Sequence, residues 1–275
     1  MAELDGVAVD IAQLEALALV NYGHFTSMLV GRGRVRGLSL HLERLVGDCR
    51  RLFDADLDPD RVRYLVRRVV ADAVASVVVR VTVFDPDLKL GRLGDDARPR
   101  ILVTTRPLAR GRSKGGKAVS PATPLPPPPG LRLRSVRYRR DLPEVKHVGL
   151  FGPLYLRREA QRAGFHDVVF TGADGALSEA ATANLGFVRG EQVLWPRAEY
   201  LPGVTMRLID QARSGATTTA VVTLADLPRL DAVFTTNATT GVTPVTAIDD
   251  VSWPTDHPVV QTLSDQYWAV PDEPL

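Results

Sequence analysis

Lysine is nearly missing from this chain. Of 34 basic side chains only Lys89, Lys114, Lys117 and Lys146 are lysines, and the other thirty are arginines. A coding bias accounts for the arginines without reference to function, and it leaves four amines to be judged one by one. Cysteine is scarcer still. Cys49 stands alone, which excludes an internal disulfide, a zinc ribbon and an iron–sulfur cluster and predicts a reducing compartment with no metal site. The acidic start, Met1 to Gly6, has no basic n-region. No apolar run approaches the roughly 18 residues that span a bilayer. A cytoplasmic protein that does not engage membranes is expected. A GxGxxG fingerprint and internal repeats are also absent.

What is present is an ordinary globular composition, 45% hydrophobic and 24% charged over 275 residues. That excludes wholesale disorder and collagen-like chains. The length fits one large domain or two of ordinary size, with roughly three quarters of the unfolded surface available for burial. Charge is segregated. Arg98 to Arg140 carries twelve basic residues and no acidic one, whereas Ala216 to Leu275 carries one basic and eight acidic. The basic stretch has no interleaved aromatics apart from Tyr138 and no recognition motif, so a solvated face or a site for a small anion is expected rather than nucleic acid.

The pattern divides the chain into an α+β module over 1–119, a connector over 120–130 and a larger α/β module over 131–275. The connector, Ser120 to Gly130, holds six prolines, which excludes helix and sheet interior; a stiff extended linker is the expected use. In the first module, Val30 to Leu38 reads as glycine- and arginine-rich turns. Ser39 is placed to cap a helix carrying Leu42, Leu45, Val46, Cys49 and Leu52 on one face. Asp58 and Pro59 suit the N-cap and first position of a second helix, along which Val62, Leu65, Val66, Val69, Val70 and Ala73 recur at helical spacing. Ser76 to Phe84 and Arg100 to Thr105 are β-branched runs and predict strands. In the second module strands are expected at 131–138, 167–171, 185–188, 192–195, 220–223, 232–236 and 242–247. Helices are expected at 150–163, after Pro202-Gly203, and around 259–268.

Chemistry gathers around Lys146, in Arg139-Arg140-Asp-Leu-Pro-Glu-Val-Lys146-His147. Most lysines at such junctions are solvated surface residues, and this one stands out by its company. Glu179 follows a turn and precedes a buried strand in Leu177-Ser-Glu-Ala-Ala-Thr-Ala-Asn-Leu-Gly-Phe187. Leu201-Pro-Gly-Val-Thr205 opens a helix with a glycine and a hydroxyl, the makings of an anion cradle from free N–H groups and the helix dipole. Thr235-Thr-Asn-Ala-Thr-Thr-Gly-Val-Thr-Pro-Val245 is a second small-residue loop, able to close over the same anion. His41-Leu-Glu-Arg-Leu45 offers Arg44 as a bidentate clamp. An amine, an acid and phosphate-binding groups together are the inventory that pyridoxal phosphate demands. His147, beside Lys146 in sequence, points to the opposite side of an extended chain and is expected to be structural.

In this order the motifs, from Tyr22-Gly-His-Phe-Thr-Ser27 to Thr243-Pro-Val245, resemble the class IV aminotransferases. These are the fold-type IV pyridoxal-phosphate enzymes, which include branched-chain and D-amino acid transaminases and aminodeoxychorismate lyase. The resemblance implies a D-amino acid aminotransferase-like fold, with an α+β N-terminal module and an α/β pseudo-barrel C-terminal module. It also implies pyridoxal 5'-phosphate as cofactor, an amino donor and an oxo-acid acceptor as small-molecule partners, and a homodimer with the site between the two domains. Lys146 would form the Schiff base and shuttle the α-proton, and Glu179 would hold the pyridine nitrogen protonated. Arg44, Val204 and Thr205 would bind phosphate, Leu201 would pack on the ring, and Asn237, Ala238 and Thr239 would complete the cofactor set. Phe25, Arg139, Arg140, Thr239 and Thr240 would face substrate. The chain departs from the family pattern at Gly149, Ala180 and Ala238, where asparagine, glycine and threonine are common, and Val83 to Asp87 replaces the Arg-x-His carboxylate trap of the D-amino acid enzymes. Amino transfer is the leading reading. Lys146-His147, Ala183-Asn184 and Asn237-Ala238 favour 4-amino-4-deoxychorismate lyase as the alternative, and the three departures allow a non-catalytic member.

Overall fold

The computed structural model describes residues 1–73, 75–108, 130–213 and 217–275. The proline-rich connector expected over 120–130 lies, apart from Gly130, outside the described residues, as do Lys114 and Lys117. The chain forms two compact units, Met1–Pro124 with Lys146–Gly149 and Asp272–Leu275, and Leu125–Val145 with Leu150–Pro271. Lys146 thus packs with the first unit, although it follows the connector in sequence.

The first unit contains β1 (Ala2–Leu4), β2 (Val7–Ala8), α1 (Ile11–Leu19), β3 (His24–Gly31), β4 (Arg34–Arg36), α2 (Leu38–Phe53), α3 (Pro59–Val70), β5 (Val77–Phe84) and β6 (Arg100–Pro107). Its antiparallel sheet runs Asp272–Pro274, β4, β3, β5, β6, β1, β2. The register sets Met28 opposite Val79 and Thr26 opposite Val81. One face therefore presents Met28, Val30, Val79, Val81 and Val83 to Leu42, Leu45 and Cys49 of α2 and to Val62, Leu65 and Val66 of α3. Phe25, Ser27 and Arg80, one residue out of phase, lie on the opposite face. Asp58 caps α3 through the Asp60 N–H, with Pro59 in the first turn.

Two local expectations are corrected here. The stretch from Val30 to Leu38 is a β-hairpin rather than successive turns, because Val30 and Val35 pair and both fill the core. Ser39 is not the cap of α2. That position is Gly37 with φ 68°, and the Ser39 N–H and hydroxyl donate to the Glu273 carboxylate at 2.9 and 3.1 Å.

The second unit contains β7 (Leu131–Arg137), α4 (Phe151–Arg162), β8 (Asp167–Thr171), β9 (Leu177–Ala180), β10 (Ala183–Arg189), β11 (Gln192–Pro196), α5 (Val204–Ala212), β12 (Thr217–Ala220), β13 (Ala232–Asn237), β14 (Gly241–Ile248), β15 (Val251–Ser252) and α6 (Pro258–Ala269). Strands β10, β13, β14, β7, β8 and β9 follow one another, and β9 pairs back to β10, so six strands close into a barrel. Closure removes two exposed sheet edges. Leu133, Val169, Leu185, Phe187, Val233 and Val245 belong to one apolar core, whereas Asn184, Gly186, Phe234 and Thr236 sit out of phase with it. The strand expected at 220–223 begins earlier, at Thr217, and stops at Ala220. Beyond it Thr223 makes an isolated bridge to Ala176 and opens the following 3-10 turn, its N–H and hydroxyl both donating to Asp226 Oδ2.

Candidate active site

In the first unit the end of β3 holds the segment that carries Lys146. The Phe25 N–H donates to the Lys146 carbonyl at 2.9 Å, the Val148 N–H donates to the Gly23 carbonyl at 2.9 Å, and His24 and His147 form an antiparallel bridge. The Lys146 N–H donates to Asp48 Oδ2 at 3.1 Å. These bonds fix the backbone of a half-buried lysine and leave its side chain to be directed by what surrounds it. Lys146 Nζ lies 5.0 Å from the centroid of the Phe25 ring, and Arg80 Cζ lies 3.6 Å from the same centroid. Two cations share one aromatic ring. Burial pulls the Arg80 guanidinium below its ordinary pKa, and its Nε donates to the Thr82 hydroxyl at 3.2 Å.

Arg44 belongs to the same unit. Its Nη2 donates to Thr26 Oγ1 at 2.5 Å, and that hydroxyl lies 2.7 Å from His41 Nδ1. Burial, then the charges of Arg44 and Lys146, hold His41 well below its ordinary pKa. The imidazole is neutral at pH 7, so Nδ1 can accept the Thr26 hydroxyl proton while that oxygen accepts from Arg44. His41, Arg44 and Asp48 fall at i, i+3 and i+7 and share one face of α2.

In the second unit three polar side chains form a row across neighbouring strands. Glu179 on β9 is in register with Asn184 on β10, and Asn184 with Thr236 on β13. All three are buried. Two inter-strand spacings separate the ends of the row by about 10 Å. Asn184 Nδ2 donates to the Leu201 carbonyl at 2.6 Å, and the Leu201 N–H lies 3.5 Å from Glu179 Oε2. The approach to α5 is thereby tied to this row. Gly203 is the N-cap of α5, and a side chain there would run into Asn184 Oδ1. No side chain caps α5. The hydroxyls of Thr205 and Thr236, each on a residue 1% exposed, have no hydrogen-bond partner among the described residues. A buried hydroxyl in that state costs about 1–3 kcal/mol. An uncapped helix start beside hydroxyls awaiting partners suits an anion with several acceptor oxygens.

Arg140 Nη1 lies 3.5 Å from Glu179 Oε1, with both side chains 7% exposed. Its Nη2 donates to the Val145 carbonyl at 3.2 Å. This guanidinium, expected to face substrate, pairs with Glu179 inside the second unit. Arg139, also expected at the substrate, lies on the surface and pairs with Glu199 at 2.6 Å. In the β13–β14 turn the Thr239 and Thr240 N–H groups both donate to Asn237 Oδ1, at 2.9 and 3.0 Å. Asn237 therefore shapes this turn from within, and Ala238 between them brings no polar side-chain atom. Leu201, Val204 and Thr205 are buried at the start of α5.

Within the first unit the structure brings Lys146, Phe25 and Arg44 into one neighbourhood, and within the second it groups Glu179, Arg140, Leu201, Val204 and Thr205. Asp48 and Arg80 were not singled out from sequence, and Thr26, His41, Asn184 and Thr236 only as members of motifs. Arg80 had a signal, as the lone charge in Ser76-Val-Val-Val-Arg-Val-Thr-Val-Phe84, and Asp48 had one in its helical spacing from Arg44. Among the described residues no group of three or more His, Cys, Asp or Glu could hold a metal ion, and no helix is long and apolar enough to cross a membrane.

Comparison with known proteins bears on this arrangement. Branched-chain-amino-acid aminotransferase-like protein 2 of Arabidopsis thaliana is 26% identical over 129 residues, which span 44% of this chain and 23% of that protein. A crystal structure of a putative 4-amino-4-deoxychorismate lyase from Legionella pneumophila superposes with a TM-score of 0.77 at 20% identity, covering 93% of this chain and 92% of the other. The PLP-bound form of a hypothetical aminotransferase from Mycobacterium tuberculosis gives a TM-score of 0.77 at 21% identity over 98% of both chains. At such identities the structures show a shared fold. The family model for class IV amino-transferases matches residues 23–248, which span Arg44, Lys146, Glu179 and Thr205, and the chain belongs to that family.

Proposed function

We propose that this protein is a pyridoxal-phosphate-dependent aminotransferase that moves an amino group between an amino acid or amine and a 2-oxo acid. The observation that carries this reading is the Glu179–Asn184–Thr236 row beside the uncapped start of α5, where two buried hydroxyls lack partners. Those groups fit a phosphate, and the buried carboxylate at the far end of the row fits a pyridine nitrogen. When bound, the cofactor supplies an aldehyde that captures amines and a ring that takes up the electrons of a broken C–H bond.

The chain's own residues divide the remaining work. Lys146 Nζ would hold the cofactor covalently and, once displaced by a substrate amine, move the proton from the substrate α-carbon. Glu179 would accept the hydrogen bond of the protonated ring nitrogen, with Arg140 paired to that carboxylate. Thr205 and the first N–H groups of α5 would bind phosphate oxygens, with Arg44 as a second cation held in place by Thr26. Leu201 would pack against the ring. Arg80, a half-buried cation on the ring it shares with Lys146, is a suitable partner for a substrate carboxylate. By the same reading the protein works as a homodimer, to be checked by sedimentation.

A second reading, 4-amino-4-deoxychorismate lyase, is favoured by the likeness to the Legionella protein over nearly the whole chain and by Lys146-His147. It uses the same lysine and the same proton abstraction and differs in releasing pyruvate. A panel of amino donors of both hands, including amines, followed by spectroscopy of the bound cofactor, tests the first reading; a coupled pyruvate assay with 4-amino-4-deoxychorismate tests the second. Conversion of the cofactor to its amine form by a donor supports amino transfer. No spectral change with any donor and no pyruvate would sink both and leave a non-catalytic member of the family.

A further inference from the structure

We infer that the Thr236 hydroxyl is a direct ligand of the cofactor phosphate, facing the start of α5 from the strand beneath it. This assignment rests on the pyridoxal-phosphate reading above and extends it to one hydroxyl within the Thr235 to Val245 segment.

The geometry comes from sheet register. Thr236 stands directly opposite Asn184, so the two side chains leave the same face of the sheet, about 5 Å apart at Cβ. Asn184 marks what covers that face, since its amide reaches the Leu201 carbonyl and abuts Gly203. Two residues before Thr236, Phe234 lies on the same face. Its ring packs edge-on against Trp195 at 5.4 Å, and Trp195 Nε1 donates to Asp210 Oδ1 of α5 at 2.6 Å. The Phe234–Thr236 face is thus the one that α5 covers, and Thr236 lies towards the N-terminal end of that helix.

The neighbouring groups are already engaged. Asn237 Oδ1 serves the N–H groups of Thr239 and Thr240, Thr243 Oγ1 donates to Thr240 Oγ1 at 3.3 Å, and Ala238 has no hydroxyl. Among the described residues, Thr236 Oγ1 and Thr205 Oγ1 are the hydroxyls of this region that are buried without a hydrogen-bond partner. A phosphate oxygen would satisfy both, one from the helix and one from the strand.

The test is Thr236→Val, which keeps the side-chain shape and suits a strand, with Thr236→Ser as the conservative control. Each purified protein is titrated with pyridoxal phosphate and separately with pyridoxal, which has the aldehyde and ring without the phosphate, and dissociation constants are read from the visible absorbance. We expect Thr236→Val to weaken pyridoxal phosphate about tenfold, to leave pyridoxal unchanged, and Thr236→Ser to restore most of the loss. Equal weakening of both ligands would assign Thr236 a packing role and overturn the proposal. Unchanged affinity for both would overturn it while leaving the cofactor reading intact. Failure of the wild-type protein to bind pyridoxal phosphate at all would remove the cofactor reading and this assignment with it.

Discussion

Replacing Arg140 by methionine removes the guanidinium from a buried carboxylate. At 3.5 Å and an effective dielectric constant near 20, the Coulomb attraction of the pair is about 5 kcal/mol. Breaking one side of a buried pair typically costs about 3–5 kcal/mol, because the remaining charge stays desolvated. For a chain of this size that lowers the melting temperature by on the order of 10 °C. One feature separates this cause from lost packing. The double variant Arg140→Met/Glu179→Met removes both charges and should recover most of the lost stability, within about 1 kcal/mol of wild type. Urea unfolding of the four proteins of the cycle at one pH measures this. A single variant as stable as wild type, or a double variant whose loss is the sum of the singles, would refute the idea that Arg140 compensates the buried Glu179 carboxylate.

Other predictions follow from buried titratable groups. Burial, then the charge of Arg44, lowers His24 to about 3. Between pH 6.5 and about 3 the unfolded chain binds a proton there that the folded chain does not, so stability falls as pH falls through this window, by up to roughly 5 kcal/mol at its lower end. His24→Phe should flatten that part of the stability profile; an unchanged profile would show that His24 is not its source. Cys49 is buried, and burial, then Asp56, pushes its thiol up to about 11. It should resist a thiol reagent at pH 8 in the folded protein and react fully in denaturant, whereas fast labelling of the native protein would contradict its place in the core.

Local rules carried much of the first unit. Asp58-Pro59 start a helix for reasons contained in two residues, and the valines of Ser76 to Phe84 leave little alternative to a strand. The hairpin at Val30 to Val35 was obscured because glycine and arginine there are compatible with turns, and only pairing with β5 and the C-terminal segment makes them strand. The motifs around Lys146, Glu179 and Thr205 were legible because each combines a reactive side chain with small residues in sequence. The closed barrel was less so, since the pairing of β10 with β13 and of β7 with β14 is a property of register between distant segments. Arg140 shows the same limit. Its partner lies 39 residues away, and nothing in Arg139-Arg140 distinguishes the buried guanidinium from the surface one. Thr236 is an ordinary strand threonine until its unpartnered hydroxyl is seen beside the start of α5.

The opening scarcity bears on the most direct test. Among the described residues there are two lysines, Lys89 and Lys146; Lys89 is exposed, and Lys146 is held by β3 and Asp48 beside Phe25 and Arg80. Borohydride reduction of the protein loaded with pyridoxal phosphate, followed by proteolysis and mass spectrometry, locates the amine that carries the cofactor. The account predicts label on the peptide containing Lys146 alone, with visible absorbance lost in Lys146→Ala. Label on Lys89, Lys114 or Lys117, or a Lys146→Ala protein that keeps its colour, would contradict it.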